Sequence, residues 1–260
     1  MGIIMNFISH THTDIGIKKS VNQDSALIME AKTDFDNVMF CVLCDGMGGL
    51  ANGELASATV IRAFSEWFTD EFPNMLYKGF NSKQLEKRWC EIIFQQNIKI
   101  MSHARSLGSN MGTTAVIMLI SGGNYYVMNI GDSRAYICNA NGLSQITVDQ
   151  TFVNREIKMG NMTPEEARVD PRRNVLLQCV GASQFIEPDF FMNNANVDDV
   201  FILCSDGFRH EISAEEIQNA FLPEKISSEE DFEKAEIELV ELNKSRMEND
   251  NITVLAVKIV

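Results

Sequence analysis

The stretch "TTAVIMLISGGNYYVMNIGDSRAYICNANG", Thr113–Gly142, decides the architecture. It holds three runs rich in Val, Ile, Tyr and Thr, at Thr113–Ile120, Tyr125–Ile130 and Arg134–Asn139, and such residues suit the pleated backbone of a strand. Gly122-Gly123-Asn124 separates the first two runs and Asn141-Gly142 follows the third. Glycine and asparagine tolerate the positive φ of tight hairpin turns, so these neighbours are expected to run antiparallel with no helix between them. Further strand-like runs stand at Val38–Cys44, Val200–Cys204 and Ile252–Ile259, and "SALIME" follows Asp24.

Helical patterns fall in separate blocks. After Gly53, apolar residues recur at Ala56, Val60, Phe64, Trp67 and Phe68, and a second face reads Leu85, Trp89, Ile92, Ile93, Gln96 and Ile100. Both are stripes that face a core. Ser213 with Glu216 forms a capping-box signature, and Phe232, Ala235, Leu239 and Leu242 line a late helix whose acidic start, Glu229, Glu230 and Asp231, is a solvated first turn. Hairpin-joined strands with segregated helices predict an α+β fold with antiparallel sheets covered by helices. No repeat or low-complexity linker interrupts residues 1–260, which read as one domain.

The balance of 22 basic against 36 acidic residues, a formal charge of −14, argues against nucleic acid or an anionic membrane as the main partner. "MGIIMNFISH" is too short and lacks the basic flank of a signal peptide or membrane span, and Asn6 stands where a myristoylation signal at Gly2 needs Ser or Thr. The expected compartment is the cytoplasm. Cys41 and Cys44 fall three apart in one strand and point to opposite faces, so the six cysteines are expected to be reduced and packed.

Aspartates collect at strand ends. Asp45 ends "VMFCVLC", Asp206 ends "VFILCS", Asp132 follows "YYVMNIG", Asp250 precedes "NITVLAV", and "VNQDS" adds Gln23 and Asp24. An isolated strand-end aspartate usually caps a turn, and the glycines after Asp45 and Asp206 suit that reading equally. Several carboxylates on one rim, however, repel one another unless hard divalent cations neutralise them. The loop "CDGMGG" would also let the Gly46 carbonyl reach such an ion, while Gly48 and Gly49 let the chain turn toward the helix after Gly53.

With these motifs in view, "DIGIKKSVNQD", "VLCDGMGG", "MGTTA", "NIGDSRAY", "ITVDQTFV", "ILCSDG" and "ENDNIT" resemble, in order and spacing, those of the protein phosphatase 2C (PPM) family of metal-dependent serine/threonine phosphatases. "MGNMTPEEARVDPRRNVLLQCVGA" is similar to the flap of bacterial members. The resemblance runs from about Asp14 to Thr253. It implies a four-layer α-β-β-α sandwich, two antiparallel sheets flanked by helices, with a dinuclear metal site at one end. Position by position, Asp45 resembles the carboxylate that bridges both metals and the Gly46 carbonyl a ligand of the second. Asp206 and Asp250 are similar to the remaining ligands of the first. Gln23 and Asp24 match a segment that orients metal-bound waters, and Asp132 resembles a ligand of a third ion in bacterial members.

The implied cofactors are two or three Mn²⁺ or Mg²⁺ ions, and the implied reaction is hydrolysis of phosphoserine or phosphothreonine by a metal-bridging water or hydroxide. The implied partners are phosphoproteins, among them a cognate Ser/Thr kinase and its substrates, met by a monomer. The flap, about residues 152–173, is the expected seat of substrate selection. None of the cysteines lies in an arginine-bearing phosphate loop, so a cysteine-centred phosphatase is excluded.

Three positions depart from the family. Lys19 stands where an arginine usually grips the substrate phosphate, Gln150 where many members have histidine, and Met47, as in bacterial members, where animal members carry a histidine proposed as the leaving-group acid. Without that acid, protonation by a metal-bound water or solvent is the working expectation. Gly112-Thr113-Thr114 and Ser133-Arg134 are expected to organise the rim, and His10, His12, His103 and His210 show no ligand spacing. The rival readings are a phosphoprotein-binding pseudophosphatase, motivated by Lys19 and Gln150, and a nucleotide-binding protein, which the missing Lys-Ser/Thr after the glycines opposes.

Overall fold

A computed structural model of the chain describes residues 5–33, 36–48 and 52–260; Gly2 and Gly49, both drawn into the sequence reading, lie outside them. Strands β1 (Phe7–Asp14), β2 (Ser25–Lys32) and β3 (Asn37–Cys44) come first, then the short β4 (Gly46–Gly48). Helices α1 (Gly53–Glu66), α2 (Phe72–Lys78) and α3 (Ser82–Ser106) follow, a π-turn at Trp67–Glu71 joining the first two. Five strands then run in succession: β5 (Met111–Thr113), β6 (Ala115–Ser121), β7 (Asn124–Ile130), β8 (Arg134–Asn139) and β9 (Gly142–Gln145). After helices α4 (Phe152–Lys158) and α5 (Pro164–Val169) come β10 (Asp189–Asn194) and β11 (Val200–Cys204), and the chain closes with α6 (Asp206–Arg209), α7 (Ala214–Ala220), α8 (Glu229–Ser245) and β12 (Ile252–Ile259).

The predicted hairpins are present. Gly122 and Gly123 adopt φ of 57° and 74°, and β6 pairs antiparallel with β7. Two five-stranded antiparallel sheets result, ordered β1-β12-β11-β8-β9 and β10-β7-β6-β3-β2, with β4 and β5 as a separate ribbon. Three apolar clusters define four layers. Alternate residues of β3, among them Met39, Cys41 and Leu43, meet Phe201, Leu203 and Leu255 between the sheets. The other face of β3, Phe40, Val42 and Cys44, packs on Phe64, Trp67 and Trp89 of the first helical block. Val254 and Ala256 of β12 pack on Phe232 and Leu239 of α8.

Cys41 and Cys44 thus face opposite layers, as their spacing requires, and all six cysteines are free thiols. Asn97, not Gln96, is the buried polar position of α3; it bonds the Gly181 N–H and the Ser183 carbonyl and so anchors the segment after the flap. Strands β1, β4, β9 and β10, and all but the last residue of β5, lie outside the predicted runs. The sequence of β1, FISHTHTD, is polar on alternate and adjacent positions, yet it pairs in full register with the buried β12. No helix among the described residues is long and apolar enough to cross a membrane.

Candidate metal centre

Sheet direction gathers the aspartates. Strands β3 and β7 run parallel to each other, both antiparallel to the intervening β6. Their C-terminal ends therefore share one rim with the N-terminal end of β2, which is antiparallel to β3. The second sheet offers the C-terminal end of β11 beside the N-terminal end of β12. Asp45, Asp132, Asp24, Asp206 and Asp250 occupy those five ends.

They surround a cavity of about 380 Å³ lined by Lys19, Gln23, Asp45, Gly46, Asp132, Asp206 and Asp250, with Asn174 and Leu176 reaching in from the segment after α5. Asp24 does not line the cavity: it is buried nearby, and neither of its carboxylate oxygens has a hydrogen-bond partner among the described residues. One oxygen of Asp206 is unpartnered as well.

The loops are held by backbone-directed bonds. The Asp45 N–H donates to the Thr114 hydroxyl at 2.9 Å, and the Thr113 hydroxyl and Thr114 N–H both donate to the Asp45 carbonyl. Thr114 in turn shares a 2.7 Å bond with Ser133. Gly46 donates to the Gln23 carbonyl, and a Cβ at that position would lie 2.3 Å from the Gly53 carbonyl oxygen and 2.5 Å from that of Gln23. Only glycine fits. Asn251 accepts from the Gln23 N–H at 2.9 Å and donates to the carbonyls of Ile15 and Val21, which fastens the β1–β2 loop that carries Lys19.

The electrostatics are those of carboxylates in search of cations. Burial raises the Asp45 carboxyl well above the usual range, and Asp24, Asp206, Asp132 and Asp250 add to the rise. Burial likewise pushes Asp24 up to about 7, with Asp206 and Asp250 contributing, against the Thr253 and Ser205 hydroxyls that approach without completing a bond. Among the described residues Lys19 is the ammonium drawn in: its Nζ lies 2.6 Å from Asp250, and although burial opposes its charge, Asp250 first and then Asp45 and Asp206 hold its proton more tightly than usual. Among the described residues no three His, Cys, Asp or Glu side chains stand close enough together to hold one ion by themselves. The unpartnered oxygens, the mutual repulsion and the all-oxygen donor set nevertheless fit hard divalent cations.

Arg209 was not singled out in the sequence, while Arg134 was expected to organise the rim and His210 was read as lacking ligand spacing. Arg209 donates to the Asp132 carbonyl at 3.0 Å and lies 3.5 Å from the Asp132 carboxylate and 3.6 Å from that of Asp149. Arg134 grips Asp149 through two bonds of 2.7 and 2.6 Å. His210 stands 3.6 Å from Asp206 and 3.4 Å from Glu248. Arg209 and His210 stand three and four residues after Asp206, one helical turn on, so the signal was helical spacing from a candidate ligand. Gln150 is buried and faces away from the donors; its side chain accepts from the Gly131 N–H at 2.8 Å and donates to Asp189 at 2.9 Å, tying down the loop that presents Asp132.

A β-sandwich with oxygen donors massed at one rim defines a protein built to hold divalent cations. Residues 15–243 match the family model described as protein phosphatase 2C, and the chain belongs to that family. It is 30% identical to the serine/threonine phosphatase stp of Listeria welshimeri over 248 residues, covering 95% of this chain and 93% of that one. The crystal structure of the serine/threonine phosphatase Stp1 from Staphylococcus aureus superposes with a TM-score of 0.85 at 30% identity, covering 100% of this chain and 98% of that one. The catalytic domain of the serine/threonine protein phosphatase PstP, solved with two manganese ions, gives a TM-score of 0.78 at 29% identity, covering 98% and 99%.

Proposed function

We propose that residues 1–260 form one catalytic domain that hydrolyses phosphoserine and phosphothreonine in proteins, with Mn²⁺ or Mg²⁺ as cofactor. The observation that carries this is Asp24 and Asp45 buried among like charges, with both oxygens of Asp24 unpartnered. Asp45, the Gly46 carbonyl, Asp206 and Asp250 are the proposed ligands of two ions, and Asp132 with Asp206 those of a third. When bound, such ions neutralise the carboxylates, acidify a water toward hydroxide and polarise the phosphoryl oxygens. This chain's residues then do the placing. Gln23, in the cavity lining, and Asp24, behind it, orient water there, and Lys19 leaves Asp250 to meet a phosphate oxygen. As a point charge it gives a single contact where an arginine would give two. Met47 lines the cavity where an acid is absent, so the leaving alkoxide takes its proton from water.

The expected partners are a Ser/Thr kinase of the same cell and the proteins it modifies, and the expected state is a cytoplasmic monomer. Residues 152–173 form the flap, built on α4 and α5. The test is release of inorganic phosphate from a phosphothreonine peptide with and without Mn²⁺, for the wild type, Asp45→Asn and Asp206→Asn. Metal-dependent turnover that survives both substitutions would sink the assignment. Peptide binding without turnover in any metal would support the binding-only reading that Lys19 motivates.

A further inference from the structure

The metal cavity opens into a longer groove of about 1310 Å³, and Lys19, Asn174 and Asp250 line both. A phosphorylated side chain seated in the cavity therefore has its own backbone at the mouth of the groove. The walls belong to different parts of the chain: the β1–β2 loop with Lys18 and Lys19, the end of the flap with Arg168 and Arg173, and the segment 209–214.

The charge of this groove is the reverse of the molecule's. Six of its lining residues are lysine or arginine and three are aspartate or glutamate, where the whole chain has 22 basic against 36 acidic residues. Some of the six are already engaged: Arg134 and Arg209 on Asp149, and Lys19 on Asp250. Lys18, Arg168 and Arg173 are not. All three are exposed, and among the described residues none of them pairs with a carboxylate. Of the three acidic residues, Asp250 holds Lys19, Glu248 holds His210, and Glu211 faces Arg246. Three free cations thus line the path a substrate backbone must take, on a protein whose net charge of −14 would otherwise repel an acidic partner.

Resting on the phosphatase reading, we infer that this groove seats the polypeptide on either side of the phosphorylated residue and selects segments with aspartate or glutamate close to it. Lys18, Arg168 and Arg173 are the specificity-determining residues, acting on the substrate's flanks and not on the reacting phosphorus. Pairs of this exposed kind are individually weak and screened by salt. Three acting together give a preference of roughly tenfold that shrinks as ionic strength rises.

The experiment compares phosphothreonine peptides of one length whose neighbouring positions are all Glu, all Ala or all Lys, in the presence of Mn²⁺. Expected are a kcat/KM about tenfold higher for the Glu than for the Lys series, a ratio that falls between 0.05 and 0.5 M salt, a ratio near one for Lys18→Ala/Arg168→Ala/Arg173→Ala, and an inverted ratio for the corresponding Glu triple. Equal kcat/KM across the series in the wild type, or a ratio the triples do not move, overturns the inference. Binding of the same peptides, labelled and followed by fluorescence anisotropy, is measured in parallel. No turnover of any peptide with a binding preference for Glu would sink the phosphatase reading and keep the groove; equal affinities would sink the groove whatever the turnover.

Discussion

Two sets of buried carboxylates share the rim, and they differ in what neutralises them. Asp149 is partly buried, and burial alone would push its carboxyl up; the bidentate Arg134 and the nearby Arg209 hold it below the ordinary aspartate range instead. Asp24 and Asp45, on the other flank, are raised by burial and by neighbouring carboxylates, Asp206 and Asp250 acting on both, and among the described residues the ammonium drawn to this flank, Lys19, is bound to Asp250. The first set is complete within the chain and is scaffold. The second is stable as carboxylate only when charge arrives from outside, which is the signature of a site.

The comparison is broken most directly by neutralising one member of each set. Asp45→Asn is expected to lower Mn²⁺-dependent phosphate release roughly 10³-fold, because it removes a ligand shared by both proposed ions. In chelator, the same variant should unfold at a higher temperature than the wild type, since a buried repulsion is gone. Thermal denaturation with and without Mn²⁺ reads both effects, and a lower melting temperature in chelator would contradict the assignment of Asp45 to the uncompensated set.

Asp149→Asn should behave oppositely, costing about 2 kcal/mol by leaving the half-buried Arg134 without its charged partner. The sign with pH follows from the depressed carboxyl. Its contribution is fully present above the ordinary aspartate pKa of about 4 and is lost as pH falls through the lower folded value. The gap between wild type and variant in urea denaturation should therefore be full at pH 7 and narrow below about pH 4; a gap constant with pH would remove the ion pair from the account.

Metal addition sharpens the same contrast. At one hundred times its dissociation constant Mn²⁺ should stabilise the wild type by about 2.7 kcal/mol, Asp149→Asn by the same increment, and Asp45→Asn by almost none. The smallest effect is expected at Lys19. Lys19→Arg should lower KM for a phosphothreonine peptide about threefold with kcat little changed, a single added hydrogen bond at a solvated position. An unchanged KM would take the residue away from the phosphate.

Much of this could be read from residues near one another in sequence. The hairpin turns at Gly122-Gly123 and Asn141-Gly142, the two faces of "VMFCVLC" and the capping box at Ser213 are local patterns with one period or one spacing. The aspartates were visible because each ends or begins an apolar run, and the antiparallel order then brought those ends together. What was hidden is what joins distant segments. Strand β1 owes its place to pairing with β12, more than 230 residues away in sequence. The Arg134–Asp149 clamp, the reach of Arg209 to Asp132 and the use of Gln150 to fix the Gly131 loop leave no local periodicity, since each depends on a side chain meeting a partner 15 to 77 residues away.

The packed cysteines carry a consequence for control. Peroxide attacks thiolate, not thiol. Burial holds Cys41, Cys44 and Cys204 protonated, Cys204 up to about 12, although Cys44 and Cys204 close the very strands that deliver Asp45 and Asp206. These thiols therefore sit next to the site without taking part in it. Oxidation that disables a hydrolase with a cysteine nucleophile meets protonated, buried thiols at these three positions.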